Sequence, residues 1–183
     1  MSPFKLPPVF ALCLLLAVDV VAQVRELEWT QLLPDADLQA LLGAPPISHD
    51  GGDTGPPPLP LQRSDASAFG NSAFDEAMMS TAIRPELDGV EIRLPGFVVP
   101  LEFDEDQNVT EFFLVPYFGA CIHLPPPPPN QIIHVIYSPG FALPSIHEPY
   151  TVTGTLATEL TSNATALSAY RMQAAAVVPY ADP

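Results

Sequence analysis

The sequence predicts a mainly β protein: a small five-stranded Greek-key barrel with a short N-terminal helical clip and a proline-rich arm. Three observations predict it. Apolar residues alternate with polar ones in five short stretches between residues 90 and 178, and turn residues separate these stretches. The segment 43–72 is too rich in Pro, Gly, Ser and Asp to bury the apolar surface that ordering requires. Five strands joined by turns, one long proline loop and one loop over Leu160–Leu167 suit a barrel of the oligonucleotide/oligosaccharide-binding (OB-like) kind, with a split sandwich as the alternative.

Taken in order, residues 1–22 read as a cleavable secretory signal. Lys5 precedes the apolar run Val9–Val18, and Val20-Val21-Ala22 has the character of a peptidase site, so the mature chain is expected to begin at Gln23 in a periplasmic or secreted setting. The run ends at Asp19, far short of the roughly 20 residues a bilayer span needs. No later stretch is longer, so no transmembrane segment is expected after cleavage. Cys13 follows Leu12 inside the run, whereas a lipidated Cys follows small residues at its end, so no acyl anchor is expected.

Residues 23–42 form the expected clip. Trp29, Leu32, Leu33, Leu38, Leu41 and Leu42 sit near helical spacing, with Pro34-Asp35 placed like a cap, and Trp29 reads as a packing anchor. After the linker 43–72, the barrel domain is expected over 73–183. Phe74–Thr81 reads as a short helix and Leu87-Asp88-Gly89 as a turn. Val90, Ile92 and Leu94 then alternate up to a bend at Pro95-Gly96, and the strand continues through Leu101. Further strands are expected at Thr110–Pro116, Ile132–Tyr137, Tyr150–Thr158 and Tyr170–Val178. The expected barrel interior is Val90, Ile92, Val99, Phe113, Val115, Ile133, Val135, Val152 and Leu156.

Charge excludes one class of partner. Without Lys5 and Asp19 the chain keeps five Arg, no Lys and twenty acidic residues, a net charge of −15. Such a surface repels phosphate backbones, so nucleic acid is excluded. It keeps an exported protein soluble and attracts cations only weakly.

The chemistry-bearing segment is Gly119-Ala120-Cys121-Ile122-His123-Leu124-Pro125. In an extended backbone Cys121 and His123 leave the chain on one side. Thiolate and imidazole together suit a zinc or copper ion. Pro125, Pro126, Pro127, Pro128 and Pro129 have fixed φ and no amide donors, so they would stiffen the following loop as polyproline II. Asn130 and Gln131 close that loop with amides able to bond its carbonyls or orient a ligand. A metal needs three or four ligands, and His147, beside Glu148, and His134, on an expected strand, are the available partners. His134 can equally alternate with Ile132 and Ile136 as an ordinary strand residue, and His147 can be a surface loop residue. Cys121 is the only cysteine left after cleavage and so has no intramolecular disulfide partner. In an oxidising compartment such a thiol survives by burial, by metal protection or by reacting for its function.

No enzyme is expected: the chain has no Gly-x-Ser-x-Gly, His-Glu-x-x-His, Cys-x-x-Cys or phosphate-loop motif. Cys121 and His123 as i, i+2 neighbours on one strand rarely adopt the geometry of a nucleophile and its base.

The stretches Arg93–Leu101, Phe113–His123 and Pro125–Gln131 resemble an uncharacterised family of bacterial exported proteins and lipoproteins, a domain of unknown function with a Gly-Ala-Cys-Ile-His segment before a proline run and Asn-Gln. The resemblance covers residues 87–180. Some members of the family it resembles look to be encoded near zinc-responsive, metal-uptake or ABC-transporter components. It therefore implies an accessory role beside a metal-related ABC transporter or another periplasmic protein. The chain departs from the lipoprotein members in lacking an acylation cysteine. Two roles follow: a metal-binding or metal-delivery protein, or a non-metal interaction module in which Cys121 is buried.

Overall fold

The computed structural model describes residues 23–43, 73–120 and 126–181. The expected signal, all of the linker after Gly43 up to residue 72, and Cys121, His123 and Pro125 lie outside the described residues.

Among the described residues eight strands form: β1 (Arg25–Glu26), β2 (Glu91–Phe103), β3 (Val109–Val115), β4 (Ile133–Phe141), β5 (Tyr150–Ala157), β6 (Thr161–Ser162), β7 (Leu167–Ser168) and β8 (Tyr170–Pro179). Two helices accompany them, α1 (Asp35–Leu42) and α2 (Ala73–Met78). The strands run in the order β2-β3-β4-β8-β5, and β5 pairs again with β2, which closes a five-stranded barrel. Every pair in the ring is antiparallel except β4 with β8. A parallel pair cannot be joined by a hairpin, so the chain crosses through β5 before returning as β8, which is the Greek-key path of an OB-like barrel. β1 lies outside the ring, parallel to the start of β2.

The length of β2 permits the closure. Glu91–Gly96 pairs with β5 and Phe97–Phe103 with β3, so one strand serves two neighbours. The expected bend at Pro95-Gly96 is the place of that handover, and the strand continues through it. The pleat therefore keeps its parity: Ile92, Leu94 and Val98 all point inward. This corrects the expected interior at three positions. Val99, Phe113 and Val115 face outward, and Val98, Phe112 and Leu114 take the interior. Phe113 and Val115 are nonetheless buried, at 0% and 1% exposure, in a second apolar cluster with Ala120 and Ile132 on the outside of the barrel.

The N-terminal clip grips the barrel through the residues that precede α1. Leu27, Leu32 and Leu33 are buried, whereas α1 buries no residue fully. Trp29, in a 3-10 turn over Trp29–Leu32, packs on the core and donates its indole N–H to the Pro95 carbonyl at 2.7 Å. Gly96 makes room for that ring, since a Cβ there would stand 2.9 Å from Trp29 Cζ2 and from the Val115 carbonyl oxygen. Among the described residues, no helix is long and apolar enough to cross a membrane.

Candidate functional site

The outer face of β3 and β4 carries the most unusual side chain of the barrel. Ile133 and Val135 point into the core, so His134 points out. It is nevertheless buried, 6% exposed. Two strand neighbours fix it. Phe113, directly opposite on β3, meets the imidazole edge-on with centroids 5.6 Å apart. Glu111 reaches diagonally, its Oε1 lying 2.7 Å from His134 Nε2. The His134 backbone N–H donates to Ser168 Oγ at 3.1 Å, and that hydroxyl, fully buried, also lies 2.8 Å from the Ile132 carbonyl and 2.6 Å from that of Tyr170.

A carboxylate only accepts, so the proton of this pair belongs on Nε2, which leaves Nδ1 with an unprotonated lone pair in the neutral ring. That Nδ1 is buried and has no hydrogen-bond partner among the described residues. An imidazole held by a carboxylate through one nitrogen, with the other nitrogen free, has the donor chemistry of a metal-binding histidine.

The other expected ligands are placed differently. His147 is exposed in the loop before β5 and stacks on Phe118, centroids 4.4 Å apart, and Phe118 in turn meets Phe97. A cavity of about 30 Å³ lies behind these rings, lined by Phe97, Val115, Phe118, Ala120 and Ile146 among others, with room for about one water molecule. His134 and His147 thus contact different aromatic residues. Among the described residues, no three of His, Cys, Asp and Glu gather closely enough to hold a metal ion. Ala120, the neighbour of Cys121, is fully buried in the outer cluster with Phe113.

The proline loop meets its expected conformation at Pro128, whose φ of −59° and ψ of 152° are those of polyproline II. Pro126 is exposed, Pro127 and Pro128 are buried, and Pro129 opens a 3-10 turn over Pro129–Gln131. Asn130 and Gln131 mainly reach away from this loop. Asn130 Nδ2 donates to Asp37 Oδ2 at 2.8 Å and to the Ala82 carbonyl at 3.0 Å, while Gln131 Nε2 donates to the Trp29 carbonyl at 2.7 Å and, at 3.4 Å, to that of Asn130. They tie the N-terminal clip to the barrel.

Sequence reasoning missed Glu111 and Ser168. A signal for Glu111 existed: it is the one charge in a strand otherwise made of Val, Thr, Phe and Leu. Ser168 carried none, because its contacts are to backbone. A larger cleft of about 720 Å³, where Glu26, Glu28, Arg93, Thr151 and Tyr180 meet, shares no lining residue with the His134 or Phe118 clusters.

The family model described as "Protein of unknown function (DUF3299)" matches residues 29–179, a span that takes in the clip from Trp29 onward and all five ring strands. Among solved structures, the chain is similar to a DUF3299 family protein from Pseudomonas aeruginosa PAO1 determined at 2.45 Å resolution. Identity is 40%, the match covers 88% of this chain and 99% of that one, and the TM-score is 0.63. No curated protein matches. With the match running from the Trp29 anchor to the end of the last barrel strand, the chain belongs to the DUF3299 family.

Proposed function

We propose that the protein is an exported, non-enzymatic accessory protein that binds or delivers a transition metal, zinc or copper, beside a metal-related transporter or another periplasmic partner. Cys121 and His123 are its core ligands, and His134 or His147 completes the shell. The observation that carries this reading is the His134 imidazole, buried, bonded to Glu111 through Nε2 and without a partner at Nδ1 among the described residues. Thiolate and imidazole match these metals, and a stiff proline loop limits the conformations the Cys-His segment must give up on binding.

A second reading has its own support. Ala120 is fully buried in an apolar cluster, and a Cys121 following it into that cluster would survive oxidation as a small hydrophobe. The protein is then an interaction module without metal.

Zinc titration with a competing chelator separates the two. The metal reading expects one ion bound more tightly than micromolar, at least tenfold weaker binding in Cys121→Ser and in His123→Ala, and slower alkylation of Cys121 by iodoacetamide when zinc is present. The buried-cysteine reading expects slow alkylation with or without chelator and a stability loss in Cys121→Ser. Equal, weak zinc binding by all three proteins sinks the metal reading.

A further inference from the structure

We propose that the cleft between the N-terminal clip and the outer face of the barrel binds an organic cation, an ammonium or guanidinium group carried on an extended alkyl stem. This goes beyond the metal reading and does not depend on it, since His134 and His147 line no part of the cleft.

Three parts of the fold meet there. β1 lies beside the start of β2 and places Glu26 opposite Arg93. Leu94 and Val152 point into the barrel, so Arg93, Pro95 and Thr151, the last two paired across β2 and β5, face outward. The turn that follows β1 brings Glu28, held in place by its backbone N–H, which donates to Gln31 Oε1 at 2.8 Å. Beyond the end of β8, Tyr180 is fixed by its own N–H, which donates to the Pro149 carbonyl at 2.9 Å. The cleft holds about 720 Å³, inside the range of about 300–1,000 Å³ that small-molecule sites occupy. A second hollow of about 300 Å³, lined in part by Trp29, shares Leu27, Glu28, Thr30 and Pro95 with the first, so an extended ligand has room to continue.

Charge selects the ligand. Arg93 is the cationic residue of the cleft, and Glu26 already meets its guanidinium at 3.2 Å. Glu28 is then a carboxylate in excess, with no ion pair among the described residues. Thr151 adds an independent sign of a ligand. It is only 6% exposed, it lines the cleft, and its hydroxyl has no hydrogen-bond partner among the described residues. A polar group so far withdrawn from water ordinarily has a partner, and here the cleft is where one can enter. A metal ion is the wrong occupant, because among the described residues no three of His, Cys, Asp and Glu gather closely enough to hold one. An ammonium or guanidinium needs less: one carboxylate and a hydroxyl oxygen that accept its N–H groups. Leu27 and Pro95 give its alkyl stem an apolar surface to lie on.

The test uses the full-length protein as its host makes it, titrated at physiological ionic strength with spermidine, with a capped pentapeptide carrying two lysines, and with glutarate as an anionic control. Amide ¹H–¹⁵N spectra locate binding, and the same titrations are run on Glu28→Gln, Thr151→Val and Glu102→Gln. Glu102 is exposed near the end of β2 and outside the cleft, so its variant removes the same charge elsewhere. Expected are saturable shifts centred on Leu27, Glu28, Arg93 and Thr151 with spermidine or the peptide, and none with glutarate. Glu28→Gln should weaken binding about tenfold, the size of a lost charge-assisted bond, Thr151→Val about threefold, and Glu102→Gln by less than about twofold. Tighter binding of the peptide assigns the cation to a basic segment of a partner protein, and tighter binding of spermidine assigns it to a free polyamine. Glu28 is exposed, so Glu28→Gln keeps the fold even where Thr151→Val does not, and it then decides alone. Shifts scattered over the acidic surface, equal losses in Glu28→Gln and Glu102→Gln, saturable binding of glutarate in the cleft, or no saturable binding of either cation overturns the proposal.

Discussion

The indole of Trp29 and the α-carbon of Gly96 are in such close approach that a methyl group on Gly96 would lie 2.9 Å from Cζ2. The same methyl would meet the Val115 carbonyl oxygen at 2.9 Å, and a backbone atom cannot swing aside as a side chain can. Gly96→Ala is therefore expected to destabilise the fold by about 1–3 kcal/mol, the usual range for overpacking. Thermal melts of Gly96→Ala, Trp29→Ala and the double variant check this. If the ring supplies most of the clash, the two losses should be less than additive.

Tyr170 joins the barrel to both N-terminal segments. Its hydroxyl donates to the Leu32 carbonyl and accepts the Arg84 backbone N–H, each at 2.8 Å, and the ring is fully buried. Tyr170→Phe leaves both groups unpaired and is expected to cost about 1–3 kcal/mol in a urea melt. Burial raises the Tyr170 pKa above the ordinary tyrosine value, with the Arg84 N–H partly opposing. A raised folded value means that this contribution is complete below the ordinary tyrosine range and is lost as pH rises through the folded value. The gap between parent and Tyr170→Phe should close in alkali.

Ser168 prepares a different test. With its hydroxyl gone, the buried His134 N–H loses the acceptor that lies 3.1 Å away. Ser168→Ala is expected to lower stability by about 1–3 kcal/mol, and hydrogen exchange at the His134 amide should accelerate relative to that of Val135. Unchanged exchange at His134 would show that the hydroxyl contributes nothing to holding that strand.

At the opposite pH extreme the β2–β3 turn responds. Asp104 accepts the backbone N–H groups of Asp106 and Asn108 and the Asn108 side-chain amide, and these bonds hold its carboxyl below the ordinary aspartate value. A depressed folded value gives stability that is present above the ordinary range and lost as pH falls through the folded value. Melting temperatures of parent and Asp104→Ala should differ by a constant amount near neutrality and converge in acid.

What was legible in the sequence was whatever local alternation and turn chemistry determine. Val152 and Ile92 read correctly as interior because polar residues flank them, as does Leu156 two pleats on from Val152, and Leu87-Asp88-Gly89 read as a turn whose Gly89 has a φ of +73°. Parity failed in β3 because Phe112, Phe113, Leu114 and Val115 are apolar on both faces, so alternation has no polar side from which to tell in from out. β1 and the β6–β7 pair contain two residues per strand, too few for any period. His134 was visible as a possible ligand from its type, but Glu111 becomes its partner only through the β3–β4 register. The roles open to the Asn130 and Gln131 amides in the sequence, bonding their own loop or orienting a ligand, omit the clip because their partners there lie 93 and 102 residues away.

Those long spans govern the order in which the molecule can assemble. Leu32 must wait for Tyr170, 138 residues further along, before its carbonyl has a donor, and Trp29 must wait for Gln131. A chain emerging N-terminus first therefore exposes Leu27, Leu32 and Leu33 until β8 is in place. Contacts this distant make folding slow compared with helical proteins of equal size, and a nascent chain with bare leucines invites aggregation or a chaperone during that interval. Loss of β8 by truncation would accordingly release the first described segment of the protein along with the last.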